Sequence, residues 1–205
     1  MRSRVVPTRL SSVSSNEMRG LSTLELVVSV AIILIISAVA IPSITKALRI
    51  YQLNDAATQL AGILKLTRFE AIRRNTPINC VNAQAGANAP ASVWSDSNGD
   101  GVEQPTEKQI LLTVNATLVP EAAVPNAAAL AAAIGVATTT AVNPASGSVK
   151  FDQRGAVSPS AVYVVYVGNL SASNSGFRAV VVLPSGSVQV WTYAGGASNL
   201  WQQLS

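Results

Sequence analysis

The sequence predicts an α+β protein: a long kinked N-terminal helix, half membrane-spanning and half amphipathic, packed on a C-terminal antiparallel β-sheet or sandwich domain. Three observations carry that reading. Leu26–Ile41 reads LVVSVAIILIISAVAI, sixteen residues without a charge. Leu53, Ala57, Leu60, Leu64 and Ala71 then recur on one helical face. After Pro77 the apolar pattern changes to that of strands, with turn residues between them.

The apolar run comes first. Counted from Leu21 it spans roughly 31 Å as a helix, about the hydrocarbon thickness of a bilayer. Arg2, Arg4, Arg9 and Arg19 precede it, so the N-terminus is expected in the cytoplasm and the remainder across the membrane. Residues 1–20 hold these four cations against Glu17, a net of +3, and residues 21–205 hold ten cations against nine acids, a net of +1. The basic pI of 9.6 thus largely describes the tail. Without the tail, no strong electrostatic case for nucleic acid remains.

Three readings of this segment compete. A cleaved signal peptide would use Ser37-Ala38-Val39-Ala40, and a signal anchor would keep the helix. Neither accounts for Glu25 at the head of the apolar core, where a carboxylate is costly and signals a partner or a function. The third reading does. Cleavage after Gly20 would create an amine at Leu21, with Glu25 four residues on along the same helical face. A carboxylate near a terminal amine is a paired charge.

The residues Arg19-Gly20-Leu21-Ser22-Thr23-Leu24-Glu25 resemble the type III leader of type IV pilins and type II secretion pseudopilins. The resemblance implies a prepilin peptidase that cuts between Gly20 and Leu21, and N-methylation of the new terminus. Leu21 stands where the family usually has phenylalanine. Pro42 lies where pilin helices commonly kink or melt during assembly; it could equally end the membrane helix. Met18 offers a second start, with a three-residue leader.

Four segments follow: a leader over 1–20, a transmembrane half-helix over 21–45, an amphipathic half-helix over 46–76, and a β-rich domain over 77–205. As one rod, residues 21–75 would reach roughly 80 Å. Lys46, Arg49, Asp55, Lys65, Arg68, Glu70, Arg73 and Arg74 occupy its polar side, read as a solvated face with cations near the helix C-terminus. Expected strands are Ile78–Val81, Ala91–Trp94, Ile110–Val114, Val149–Asp152, Val162–Val167, Arg178–Leu183 and Ser187–Tyr193, the last two joined by a hairpin at Pro184-Ser185-Gly186. The stretch 116–147, with twelve alanines, reads as a weakly ordered excursion. Within it Asn126 and Gly135 could cap a helix over Ala127–Ile134. Tyr163, Tyr166, Trp191 and Tyr193 are expected in the core or on sheet faces.

Phe151-Asp152-Gln153-Arg154-Gly155, Phe177-Arg178-Ala179-Val180-Val181-Val182 and Pro184-Ser185-Gly186-Ser187-Val188 look like the FimT/GspH branch of minor pilins and pseudopilins. That resemblance implies a non-enzymatic subunit of a type IV pilus or type II secretion pseudopilus. Its helix would dock with other pilins, its anchor would lie in the bacterial inner membrane, and its C-terminal domain would lie in the periplasm. Some relatives bind DNA through a basic stretch after the final hairpin turn. Here residues 187–205 contain no Lys or Arg, so nucleic acid is not expected as a partner.

The absence of histidine excludes Ser-His-Asp and Cys-His catalysis, and the single cysteine, Cys80, excludes an intrachain disulfide or a CxxC pair. No enzyme and no cofactor are expected. One motif could hold a metal: Asp96, Asn98, Asp100, the Val102 carbonyl and Glu107 fit the calcium-loop pattern, with Gly101 at its sharp turn. Its strand-like flanks favour a plain β turn, for which Asp, Asn and Gly are equally suited.

Overall fold

The computed structural model describes residues 22–87, 89–193 and 201–204. One helix, α1, runs Thr23–Arg74 with Pro42 inside it, and the chain divides into two compact units at Pro42 and Ser43. In the first unit the Ser22 carbonyl accepts the Leu26 N–H at 3.0 Å, and Glu25 lies in the first turn, where a carboxylate complements the helix dipole.

The second unit is built on the C-terminal half of α1. The expected stripe of Leu53, Ala57, Leu60, Leu64 and Ala71 is buried, joined by Ala56, Ala61, Ile63 and Thr67. The small residues let the helix approach the sheets closely, and each fully buried leucine contributes about 1.5–3 kcal/mol. Helix α1 ends at Arg74, and Asn75 takes a left-handed φ of 51° ahead of Pro77.

Among the described residues ten strands follow, in two sheets. β1 (Ile78–Gln84), β2 (Ala91–Asp96), β3 (Gln109–Leu112) and β6 (Ser146–Phe151) form an antiparallel sheet in the order β3-β2-β1-β6. The second sheet runs in the order β10-β9-β8-β7-β4, from β4 (Thr117–Val119), β7 (Tyr163–Gly168), β8 (Phe177–Val182), β9 (Val188–Tyr193) and β10 (Trp201–Leu204). β5 (Thr140–Ala141) pairs with β7 in parallel, and every other strand pairing among the described residues is antiparallel.

Each expected strand is present within a few residues. β4, β5 and β10 are additional; they are too short to show an alternating pattern and depend on the strands beside them.

Two hydrophobic cores sandwich the second sheet. Val165, Val167, Val180 and Val182 pack with α1 and the first sheet. Val164, Tyr166, Phe177, Ala179 and Val181 face the other way, toward Leu130, Val119, Val124 and Trp201. β8 is therefore buried at all six positions, which explains its unbroken apolar run after Arg178. The stretch 116–147 is not the weakly ordered excursion that its composition suggests. It supplies β4, β5 and helix α2 (Ala127–Ile134), and Leu130 is fully buried. Gly135 caps α2 with a φ of 80°, as its type favours, donating to the Ala131 and Ala132 carbonyls. Asn126 makes no side-chain cap. It is left-handed at φ 51°, and its carbonyl accepts the Trp201 indole N–H at 3.1 Å.

Candidate functional site

The segment that sets this chain apart is the first part of α1. Its most apolar window has a mean hydropathy of 2.8 and is 0% buried, which excludes the core helix of a globular domain. Val39 is 74% exposed and Ile35 69%. By length and composition this helix can cross a membrane. Left in water, so continuous an apolar surface would associate with any apolar partner.

Glu25 is exposed in the first turn, and the Ser29 hydroxyl donates to its backbone carbonyl at 2.7 Å. Ion pairs among the described residues are confined to Glu70 with Arg73 at 2.7 Å and with Arg74 at 2.9 Å. Gly20 and Leu21, the expected cleavage residues, lie outside the described residues. Pro42 sits within the helix and does not terminate it.

In the second unit, α1 is fastened to the turns that carry the distinctive C-terminal motifs. Arg68 Nε donates to the Gly155 carbonyl at 2.9 Å, and its Nη2 to the Ser185 carbonyl at 3.2 Å. Gly155 has φ +79° and Gly186 φ +77°, both in the left-handed region. A Cβ on Gly186 would collide with the Gly155 carbonyl and crowd Arg68. The two turns thus meet backbone to backbone beneath one guanidinium. Arg68 is therefore no solvated cation like Arg73 and Arg74. The seven-residue step from Leu64 to Ala71 in the buried stripe is the signal that could have shown it, because Thr67 and Arg68 fill that gap.

Arg178 makes a second link between helix and sheet. It is 5% exposed, donating to Asn54 Oδ1 at 2.7 Å and to the Phe177 carbonyl at 2.9 Å. Burial holds its pKa below the usual arginine value. Cys80 is buried, and desolvation pushes its thiol up from 9.0 to about 12. Tyr166 is likewise raised, by burial first and by Glu121 second. Such groups are inert at neutral pH, so these residues serve packing.

The calcium-motif residues lie between β2 and β3. Asp96 ends β2, and Glu107 stands two residues before β3. Among the described residues no three His, Cys, Asp or Glu side chains stand close enough together to hold an ion.

Residues 56–186 match the family described as type II transport protein GspH. Two solved structures are similar, both crystal forms of the type IV minor pilin FimU of Pseudomonas aeruginosa. One is 15% identical, covering 67% of this chain and 91% of that one with a TM-score of 0.45. The other is 14% identical, covering 68% and 88% with a TM-score of 0.44. No curated protein matches the sequence. The GspH match reaches from the buried half of α1 to the Gly186 turn, so it takes in Arg68, Gly155 and Gly186 together, and the chain belongs to the GspH family of minor pilins and pseudopilins.

Proposed function

We propose that this chain is a structural subunit of a type IV pilus or type II secretion pseudopilus, made as a precursor and cut by prepilin peptidase between Gly20 and Leu21. Before assembly, α1 anchors it in the inner membrane with the β domain in the periplasm. On assembly, the same apolar surface leaves lipid and packs against the helices of neighbouring subunits.

The observation that carries this reading is the division within α1. One helix has no buried residue in its apolar first part, and in its last part it contributes to the core of the β domain. A signal peptide cut near Ala40 would sever that helix for no structural gain.

Glu25 supplies the assembly logic. A carboxylate buried among apolar helices needs a cation, and the segment Val27–Ile41 offers none. The amine that cleavage leaves on Leu21 is the nearest positive charge in sequence. The test is the mass of the mature chain. A product beginning at Leu21, carrying one added methyl, is expected, and one beginning at Ile41 would establish a signal peptide instead. Duplex DNA should bind no better than nonspecifically, because residues 187–205 lack any cation; salt-sensitive submicromolar binding in a gel shift would contradict this.

A further inference from the structure

The connection between β2 and β3 carries chemistry that filament assembly does not use. Its residues occupy the positions of a twelve-residue calcium loop: oxygen side chains at the first, third, fifth and twelfth places, and glycine at the sixth. The backbone is already wound around the first of them. Asp96 accepts the Gly99 N–H at 2.7 Å and the Gly101 N–H at 3.1 Å. Asn98 Oδ1 accepts the Asp100 N–H at 3.2 Å, and Asp100 Oδ1 the Val102 N–H at 2.9 Å. A plain turn makes such bonds too, so they decide nothing alone.

Glu107 is the independent observation. It is only 7% exposed. Its Oε1 accepts the Ser97 N–H at 2.8 Å, so the last residue of the loop is bonded to the backbone of its second. Its Oε2 is buried with no hydrogen-bond partner. A carboxylate oxygen withdrawn from water without a donor is unfavourable, and a cation is the partner it lacks. A turn made only to reverse the chain has no use for a buried, half-satisfied glutamate.

We propose that residues 96–107 form a calcium site, with oxygen ligands from Asp96, Asn98, Asp100, the Val102 carbonyl and Glu107. The side chains are not yet gathered: the Asp100 carboxylate is turned to Asn98 Nδ2 at 2.9 Å and to Gln104 Nε2. Asn98 and Asp100 are exposed, so they can rotate inward without disturbing the core. That rearrangement places the affinity at the weak end of the range for such loops, about 10⁻⁴–10⁻³ M. Magnesium, which demands a tighter octahedron and sheds water reluctantly, should compete poorly. The bound ion would tie the end of β2 to the approach to β3, an outer strand of its sheet.

The test uses the full chain in detergent, with terbium as the probe and Trp94, two residues from Asp96, as its sensitiser. Indole-excited terbium emission should appear and be displaced by calcium. The unfolding temperature should rise by a few degrees at about 10 mM calcium, well above the expected Kd. Asp100→Ala, at an exposed position, and Glu107→Gln should each weaken calcium competition about tenfold or more and abolish the thermal shift. Asp100→Ala decides the matter if Glu107→Gln fails to fold. Absence of calcium-displaceable emission, or an unchanged response in Asp100→Ala, would overturn the proposal. The assembly reading would stand in either case, because the mass of the mature chain tests it separately.

Discussion

Gly186 and Arg68 show how little space the join between helix and sheet allows. Gly186→Ala would force a left-handed alanine against the Gly155 carbonyl, and the chain should lose about 2–4 kcal/mol. Arg68→Ala would strip donors from two turn carbonyls, for a loss of about 1–3 kcal/mol. Denaturant unfolding followed by tryptophan fluorescence measures both. Unfolding midpoints equal to wild type would show that the turns are held by something else. Cys80 gives a prediction in pH. Its thiol is raised from 9.0 to about 12 in the fold, so above pH 9 the unfolded chain releases a proton that the native chain retains. Stability from this group is therefore fully present below pH 9 and declines as pH rises toward 12. Cys80→Ala should flatten the alkaline fall in unfolding free energy; an unaltered slope would assign it elsewhere. Tyr166 shifts in the same direction and will leave some slope behind.

Among the elements, those with an internal pattern were legible in the sequence. The stripe on α1 declares itself by periodicity, the long strands β7, β8 and β9 by β-branched and aromatic runs between turn residues, and the Pro184-Ser185-Gly186 hairpin by its turn. The stretch 116–147 does not, because its alanines carry no period and its order comes from what it covers. Leu130 and Trp201 close the second core. Trp201 lies 5.4 Å from Tyr193 and 6.1 Å from Tyr166 between ring centroids. Trp201→Ala should cost about 3–5 kcal/mol and Leu130→Ala about 2–5 kcal/mol, despite the low-complexity surroundings of Leu130. Measured losses below 1 kcal/mol would mean that this layer adds little to the fold. For Arg68 the sequence offers only the gap between Leu64 and Ala71; its partners, the Gly155 and Ser185 carbonyls, become apparent once those turns are placed beside the helix.

At the scale of the whole molecule, the proposed assembly residues, Glu25 and Pro42, stand out in the sequence because membrane physics is local. A glutamate at the head of an apolar run is conspicuous from spacing alone, and so is a proline within it. The leader residues Gly20 and Leu21 rest on resemblance and on the Glu25 argument, and the calcium loop on its pattern together with one buried oxygen of Glu107. On the proposed assembly reading, docking into a filament would move Glu25 from a solvated interface into an apolar setting, a step favourable only if the carboxylate meets a charge. Glu25→Gln keeps the shape and removes the charge. The decisive measurement is the ratio of this protein in sheared filaments to that in membranes, for wild type and Glu25→Gln, with the mass of each mature chain checked. Unchanged cleavage and membrane insertion with a several-fold lower filament ratio is the expected result. An equal ratio, with both chains correctly cleaved, would contradict the account.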